Sequence, residues 1–443
     1  MSEAFDLLIR GGTVATPNGI APADVGMTAG RIAAIGALSG AKAAEVFEAR
    51  GLHVLPGVMD TQVHFREPGN EHKEDLATGS LAAILGGVTS VFEMPNTNPP
   101  TTTRAAIEDK IARATGRMHC DFAFYAGATP QNIGALAELE AMPGVCGIKA
   151  FLGSSTGTLL LNKEDDILAA LKAGRRRVAV HSEDEDRMIE RKPLAERGRP
   201  QTHPIWRDAE SARMCTERVL RLARAAGRRL HVLHITTGDE IPLLAAAKDI
   251  ATAETTPQHL TLSAPDCYER LGTYAQMNPP IRDESHRLAL WQAVREGVID
   301  VIGSDHAPHT RAEKDREYPD TPSGMPGVQT LATLLLDHVN KGNLTLERFV
   351  DLTASGPQRI FGIADKGRIA RGYDADFTIV DMSLTREITN AWIASRCGWT
   401  PFDGMKTKGW PVAAFLRGRL VMRDHAAVTA AAGAPVRFVE TLA

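Results

Sequence analysis

Eight short apolar runs, most of them followed by a segment of helix length, constrain the fold of this chain more than any other feature. The helix-length segments include residues 103–115, 164–173, 209–226 and 239–247. Strands that alternate with helices in this way predict an α/β fold, either a (β/α)8 barrel or a doubly wound open sheet. The runs end near His64, Met94, Ala126, Lys149, His181, His234, Thr255 and Ser304. Most of these ends carry residues capable of chemistry, and only a closed barrel brings them all to one rim, so we predict a TIM-like barrel.

The two ends of the chain have a different pattern from the middle. Residues 6–56 contain short strand-like runs separated by glycine turns, and residues 366–381 and 411–424 return to that pattern. We therefore predict a small β-sandwich domain formed from both termini, residues 1–56 and 366–443. It would flank a barrel domain of residues 57–365.

Composition excludes several classes of protein. The formal net charge of −4 is small and the basic residues are interspersed with acidic ones, which argues against a nucleic-acid or membrane-surface partner. No apolar run approaches the roughly 20 residues needed to cross a bilayer. The five cysteines are widely spaced, odd in number and without a Cys-x-x-Cys pair, which is typical of a reducing compartment. The first six residues are acidic and lead directly into a strand-like run, so we expect no signal peptide and a cytoplasmic protein.

The end of the first barrel strand predicts a metal site with one unusual donor. Residues 59–69 read Met-Asp-Thr-Gln-Val-His-Phe-Arg-Glu-Pro-Gly. Side chains two positions apart in a strand share a face, so Gln62 and His64 can reach one ion. Neutral imidazole is a good zinc ligand, whereas the amide oxygen of glutamine suits magnesium, calcium or manganese better.

Later strand ends add further candidates. Lys149 lies inside the apolar run 147–153, where a lysine is costly unless its charge is removed or paired. His181 ends the fifth strand, and His231 and His234 lie at the sixth. The last two are three residues apart and face opposite sides of a strand, so only one can point into the barrel mouth. Residues 301–309 place Asp-His-Ala-Pro-His after the eighth strand.

Together these motifs resemble the cyclic amidohydrolase family, and its dihydroorotase branch in particular. Many members carry Asp-x-His-x-His at the first strand, and dihydroorotases continue with Phe-Arg-Glu-Pro-Gly. The resemblance covers nearly the whole chain, with two departures. Gln62 stands where the first histidine is expected, and Gln258 stands where dihydroorotases often have histidine.

The resemblance implies a zinc site and a role for each donor. Lys149 would be carboxylated by CO₂ on its Nζ and would bridge two ions, and Asp305 would act first as general base and then as general acid. Because Gln62 is a poor zinc donor, we expect one tightly held ion and a second that is weak or absent. The implied metal ligands are His64, Lys149, His181, His234 and Asp305.

The resemblance also implies a substrate side. Arg66 is planar and bidentate and suits a carboxylate, although a salt bridge to an acidic loop residue is the alternative. Asn96, Asn278 and His309 correspond to positions that contact the pyrimidine ring and its carboxylate in dihydroorotases. Asn96 follows a proline and Asn278 precedes one, and an asparagine beside a proline is also typical of turns.

We therefore expect a dihydroorotase-type enzyme of pyrimidine biosynthesis that interconverts N-carbamoyl-L-aspartate and L-dihydroorotate. Its substrate would be a small cyclic ureide, and we expect a homo-oligomer or a complex with aspartate transcarbamoylase. One alternative is an allantoinase, hydantoinase or dihydropyrimidinase; allantoinases commonly lack the arginine after His-Phe, so Arg66 favours dihydroorotase. The other alternative is a metal-depleted structural relative that partners aspartate transcarbamoylase.

Overall fold

The computed structural model describes residues 5–38, 40–155 and 159–442, so the expectation about a signal peptide, which rests on the first six residues, lies largely outside it. The described strands are β1 Phe5–Thr16, β2 Gly19–Thr28, β3 Arg31–Gly36, β4 Ala43–Glu48, β5 His53–Pro56, β6 Val58–Val63, β7 Val88–Glu93, β8 Asp121–Gly127, β9 Val145–Phe151, β10 Val178–His181, β11 Leu230–Val232, β12 Ala251–Thr255, β13 Val301–Ile302, β14 Phe377–Glu387, β15 Lys406–Leu416, β16 Arg419–Arg423 and β17 Ala426–Ala427. The α-helices are α1 Leu76–Leu85, α2 Arg104–Ala114, α3 Leu136–Leu139, α4 Glu164–Lys172, α5 Glu185–Arg191, α6 His203–Trp206, α7 Ala209–Ala226, α8 Ile241–Ala245, α9 Pro257–Thr261, α10 Asp266–Leu271, α11 Glu284–Glu296, α12 Arg311–Lys314, α13 Leu331–Asn340, α14 Leu346–Val350 and α15 Gly356–Phe361.

Strands β6 to β13 form an eight-stranded parallel sheet in chain order. Its first and last strands meet, because Val63 forms a parallel bridge with His306 and the His64 amide donates to the His306 carbonyl at 2.7 Å. The Ser304 amide also donates to Asp60 Oδ1 at 2.9 Å. These contacts close the sheet, so the (β/α)8 prediction is confirmed and the open-sheet alternative is wrong.

The barrel strands are buried on both faces, and β8 and β9 are mostly apolar. Every residue of β8 and β9 is buried, as expected for parallel strands covered by helices outside and filled by side chains inside. Three predicted helices are present as α2, α4 and α7, and Thr103 and Asp208 cap the first and third of them. The fourth segment, residues 239–247, forms a 3-10 turn and then the short helix α8.

The two termini build one nine-stranded sheet in the order β17-β16-β15-β14-β5-β1-β2-β3, with β4 parallel to β1. Phe47 of β4 packs edge-on against Phe415 of β15, with ring centroids 5.3 Å apart. Strands that are distant in the sheet therefore enclose one core, which confirms the predicted terminal β-sandwich. The exact domain boundaries at 56/57 and 365/366 stay a prediction.

Residues 366–381, predicted as strand-like runs with glycine turns, form a strand only in their second part. Residues 366–376 are not a strand, and β14 begins only at Phe377. Instead, the Lys366 ammonium lies 2.6 Å from Asp121 of β8 and 3.1 Å from Asp374. A loop can turn one lysine toward a carboxylate of the barrel and a carboxylate of the loop itself.

Two simpler findings concern the whole described chain. None of its helices combines the length and the apolar character that crossing a bilayer requires. All five cysteines are buried, and within the described ranges they form no disulfide.

Candidate active site

A narrow cavity lies at the carboxyl ends of the barrel strands. This is the end at which (β/α)8 enzymes carry their active sites. All predicted site residues except Asn96 and His309 reach its wall. The lining residues are Gln62, His64, Arg66, Lys149, Phe151, Ser155, His181, His234, Asn278, Asp305, Ala307, Ser323 and Gly324.

His181 and His234 face each other on one side of the cavity, with His181 Nδ1 and His234 Nε2 3.1 Å apart. His181 Nε2 lies 2.9 Å from Glu183 Oε2 and donates to it, so His181 Nδ1 carries a lone pair. Burial lowers the pKa of both imidazoles, which keeps them neutral. His234 Nε2 then donates to His181 Nδ1, and a metal ion bound here would take the place of that hydrogen between the two nitrogens.

Glu183 holds His181 in this orientation. Burial alone would raise the pKa of its carboxyl, but Arg207 and His181 hold that pKa well below its usual range. Arg207 Nε donates to Glu183 Oε1 at 3.1 Å. The carboxylate is thus ionised and fixed from behind, as an outer partner of a metal-ligating histidine should be.

Lys149 is buried beside the histidine pair, and its Nζ has no hydrogen-bond partner among the described residues. The amine lies 4.4 Å from the centre of the Phe151 ring. Burial lowers the pKa of Lys149 to about 7, with Asp305 and Glu254 opposing the shift. At neutral pH a substantial fraction of this amine is therefore uncharged, and the uncharged amine is the form that can combine with CO₂.

Gln62 and His64 line the other side and both turn toward Asp305. Gln62 Nε2 donates to Asp305 Oδ1 at 2.9 Å, and His64 Nε2 lies 3.2 Å from the same oxygen. His64 Nδ1 lies 2.7 Å from Asn96 Oδ1, which accepts from it. His64 Nε2 then has a lone pair directed at a carboxylate oxygen, an arrangement that a shared cation or proton would stabilise.

The side of the cavity that carries His181, His234 and Lys149, here called the histidine side, has donors that fit zinc. Two nitrogens on one tetrahedral zinc lie about 3.4 Å apart, close to the separation of the His181 and His234 nitrogens, and the unpartnered Lys149 could supply a carbamate oxygen. His64 and Asp305 are also suitable donors, but Gln62 presents its N–H₂ group to Asp305 rather than an oxygen to an ion. Within the described ranges, no three His, Cys, Asp or Glu side chains form a metal cluster by themselves. A complete site would therefore need Lys149.

Arg66 brings a positive charge to the cavity wall. Its Nε donates to the Pro308 carbonyl at 3.2 Å, and Nη2 lies 3.3 Å from His309 Nε2. Burial lowers the pKa of Arg66 to about 10, which leaves the guanidinium charged at neutral pH. No carboxylate of the described chain forms an ion pair with it, so the alternative of a structural salt bridge is wrong.

The remaining predicted substrate residues occupy different places. Asn278 lines the cavity, whereas Asn96 lies behind His64. His309 is fully buried behind Arg66, with Nε2 3.0 Å from the Ser323 carbonyl and Nδ1 3.2 Å from Lys73 Nζ. Both His309 nitrogens are thus engaged by the protein, and this arrangement supports Arg66 rather than presenting a free donor to a ligand.

Only one of the two histidines at the sixth barrel strand points into the cavity. His234 lines the cavity after a turn with φ of 38°, while His231 lies below it, 2.8 Å from Thr252 Oγ1 and 3.3 Å from Glu254 Oε2. Arg66 and Asp305 also have positive φ, at 65° and 46°. Backbone in this region is costly for such residues and is concentrated at functional sites.

Sequence reasoning missed two contributors. Glu183 received no role in the sequence analysis, although a carboxylate two residues after His181 is a usable signal for an outer partner. Arg207 lies far from Glu183 in sequence and carried no signal. The donation from Gln62 to Asp305 could not be read from the motif, because an amide offers both a donor and an acceptor.

Comparison with known proteins agrees with this geometry. Residues 53–421 match the model of the amidohydrolase family. A dihydroorotase of Halobacterium salinarum is 39% identical over 395 residues, covering 87% of this chain and 89% of its own. An allantoinase of Rubrobacter xylanophilus is 36% identical and covers 98% of both chains. The structure of an L-hydantoinase from Arthrobacter aurescens superposes with a TM-score of 0.93 at 28% identity, over 98% of this chain and 99% of that one. The chain therefore belongs to the amidohydrolase family.

Proposed function

We propose that this cyclic amide hydrolase interconverts N-carbamoyl-L-aspartate and L-dihydroorotate in pyrimidine biosynthesis. The observation that carries the proposal is Arg66, a charged guanidinium on the cavity wall without a carboxylate partner in the described chain. Dihydroorotate has a ring carboxylate that would complete this pairing, whereas hydantoin and dihydrouracil rings have none. The dihydroorotases among the similar proteins support the same choice.

Zinc would be held by His181, His234 and carboxylated Lys149, where it would polarise a carbonyl and lower the pKa of water. The side chains supply binding and proton transfer. Arg66 binds the ring carboxylate, which places the scissile amide near Asp305. The Asp305 carboxylate takes a proton from the attacking water as the C–O bond forms and gives it to the ring nitrogen as the C–N bond breaks. Gln62, through its bond to Asp305 Oδ1, orients that carboxylate.

A second candidate is a hydrolase of allantoin or of a hydantoin. It is supported by the allantoinase, which matches 98% of the chain, and by the L-hydantoinase fold. A panel of dihydroorotate, N-carbamoyl-L-aspartate, allantoin, hydantoin and dihydrouracil separates the two. We expect the highest kcat/KM for dihydroorotate; an equal or higher value for an uncharged ring would reject the proposal.

The non-catalytic alternative is less compatible with the cavity. A buried lysine without a partner lowers stability, and a protein that served only as a scaffold for aspartate transcarbamoylase would gain nothing from it. Homo-oligomerisation, a complex with that enzyme and a cytoplasmic location stay predictions. Gel filtration of the chain alone and mixed with aspartate transcarbamoylase tests the first two.

A further inference from the structure

His203 lies beside the cavity without belonging to any predicted site. It is the first residue of α6, between strands β10 and β11, and it is fully buried. Its Nε2 lies 2.9 Å from Oδ1 of Asn278, a residue of the segment that follows β12. The contact therefore joins two loops of the barrel mouth at a side chain that lines the cavity.

The hydrogen-bond pattern fixes the tautomer of His203. Its Nε2 also lies 3.1 Å from the main-chain carbonyl of Met277, which can only accept, so Nε2 must carry the hydrogen. Nδ1 then has a lone pair, and the Tyr318 hydroxyl 3.4 Å away donates toward it. Burial, with the charge of Arg207 adding to it, lowers the pKa of His203 to about 3 and keeps this ring neutral.

The same pattern fixes the amide of Asn278. If that amide were reversed, its N–H₂ group would face the N–H of His203, and two donors would repel. The oxygen must therefore face His203, and the nitrogen is left for the cavity, whose wall Asn278 forms. The Met277 carbonyl thus fixes the orientation of the Asn278 amide through the tautomer of His203.

We propose that His203 is a positioning residue that holds the Asn278 amide so that its N–H₂ group donates to a carbonyl oxygen of the bound ring. The inference rests on the proposed function for the identity of the ring. It assigns to Asn278 the role of donor, where the resemblance gave only contact. It also makes alignment of the substrate depend on a residue that does not touch it.

Paired substitutions of His203 test the role. His203→Gln retains an N–H donor and should keep KM within about threefold, whereas His203→Phe leaves the Asn278 amide free to rotate and should raise KM about tenfold. We expect kcat to change less than KM, because Asp305 and the zinc donors are untouched. Equal KM values for the two variants would overturn the inference.

His338→Phe is the matched control for loss of a buried histidine. His338 lies on α13, where its ring bonds to Thr261 and Asn343, outside the cavity wall. It should lower the unfolding temperature by an amount comparable to His203→Phe without raising KM. A KM increase in this control would show that loss of stability alone accounts for the effect.

A double-mutant cycle separates positioning from packing. Asn278→Ala removes the donor itself, so adding His203→Phe to it should raise KM no further. If instead the two effects multiply, His203 acts on something other than Asn278 and the inference fails.

One measurement is independent of turnover. In protein with 15N-labelled histidine, His203, assigned by its loss in His203→Gln, should show a protonated Nε2 and a bare Nδ1 that do not change across neutral pH. A hydrogen on Nδ1 would overturn the inference. Wild-type protein that opens no ring of the panel would reject the proposed function instead, and the tautomer measurement would still stand.

Discussion

The two sides of the cavity both contain histidine, but the hydrogen-bond partners of the histidines differ. On the histidine side, nitrogens of the neutral His181 and His234 rings face each other 3.1 Å apart, and Glu183 holds the His181 ring from behind. On the glutamine side, Gln62 and His64 both approach a single oxygen of Asp305. In the first arrangement an ion could replace the hydrogen shared by two neutral nitrogens, whereas the second uses the carboxylate as a hydrogen-bond acceptor.

The difference shows what one residue at the first strand controls. An imidazole at position 62 could offer a lone pair beside His64, but an amide can turn its N–H₂ group to Asp305 and satisfy that oxygen within the protein. The glutamine side then has less need of an ion than the histidine side. We therefore expect metal to bind the two sides with unequal affinity, and four substitutions test that asymmetry.

Lys149→Ala should have the largest effect because both sides depend on that residue. Without the carbamate oxygen, the histidine side has only two donors, so bound zinc should fall to near zero. Activity should drop about a thousandfold or more, as expected when a metal that supplies several kcal/mol is lost. Metal analysis after dialysis and assays with added short carboxylic acids, which could occupy the vacated space, check this.

Lys314→Met is its control. Lys314 is also fully buried, and burial lowers its pKa to about 7, but its Nζ donates to the carbonyls of Gln276 and Pro322. This variant should lose stability and keep its metal. If Lys149→Ala retained zinc as Lys314→Met does, the assignment of Lys149 as a ligand would be wrong.

Arg66→Met tests the charge at the rim of the glutamine side. Loss of a charge-assisted bond of about 1.5–3 kcal/mol should raise KM for dihydroorotate at least about tenfold, with zinc content unchanged. Any turnover of hydantoin or dihydrouracil should change much less, since those rings have no carboxylate. Steady-state kinetics on both kinds of ring decide the matter, and equal losses would make Arg66 a structural residue.

Glu183→Gln tests the outer partner of the histidine side. The glutamine amide has no negative charge with which to hold the Nε2 hydrogen of His181. Zinc affinity should therefore fall about 10- to 100-fold, as for other outer partners of metal-bound histidines. Competition with a chromogenic chelator measures the affinity. Glu140→Gln, at a buried carboxylate that accepts from the amides of Arg175 and Arg176, should leave the affinity unchanged.

Sequence alone predicted the parts of this site that strand periodicity controls. Lys149, His181 and Asp305 stand at the ends of apolar runs, and the closed barrel brings such ends to one rim. Partners across the fold escaped prediction. Arg207 reaches Glu183 only because the long segment between β10 and β11 folds back on itself. His203 of the same segment reaches Asn278, which follows β12, only because two segments of the barrel mouth fold together.

The terminal sheet gives the same lesson for the fold. Alternating strands and glycine turns predicted its existence, but not that residues 366–376 would remain a loop. In that loop Lys366 pairs with Asp121 of the barrel sheet, a contact that no local sequence pattern encodes.

Gln62→His tests the asymmetry directly and should have the smallest effect on catalysis. Gln62 and His64 already line the same cavity, and Asp305 and Lys149 are in place, so a second imidazole should complete a donor set on the glutamine side. It would also release Asp305 Oδ1 from the Gln62 amide. Zinc should rise from about one toward two per chain, with the second ion held about tenfold more tightly than in the wild type.

Gln258→His is the control for this substitution, because the resemblance to dihydroorotases implies a histidine at this position as well. Its Nε2 donates to the Ser304 carbonyl at 2.7 Å, and it does not reach the cavity wall in the described structure, so its replacement should add no metal.

If Gln62→His gains zinc and hydrolyses dihydroorotate several-fold faster, the glutamine side is a weakened metal site. If zinc rises without faster turnover, Gln62 serves catalysis by orienting Asp305, and the asymmetry is functional. Two zinc ions already bound to dialysed wild-type protein would show that the two sides do not differ, since Gln62 would then not have prevented a second ion from binding.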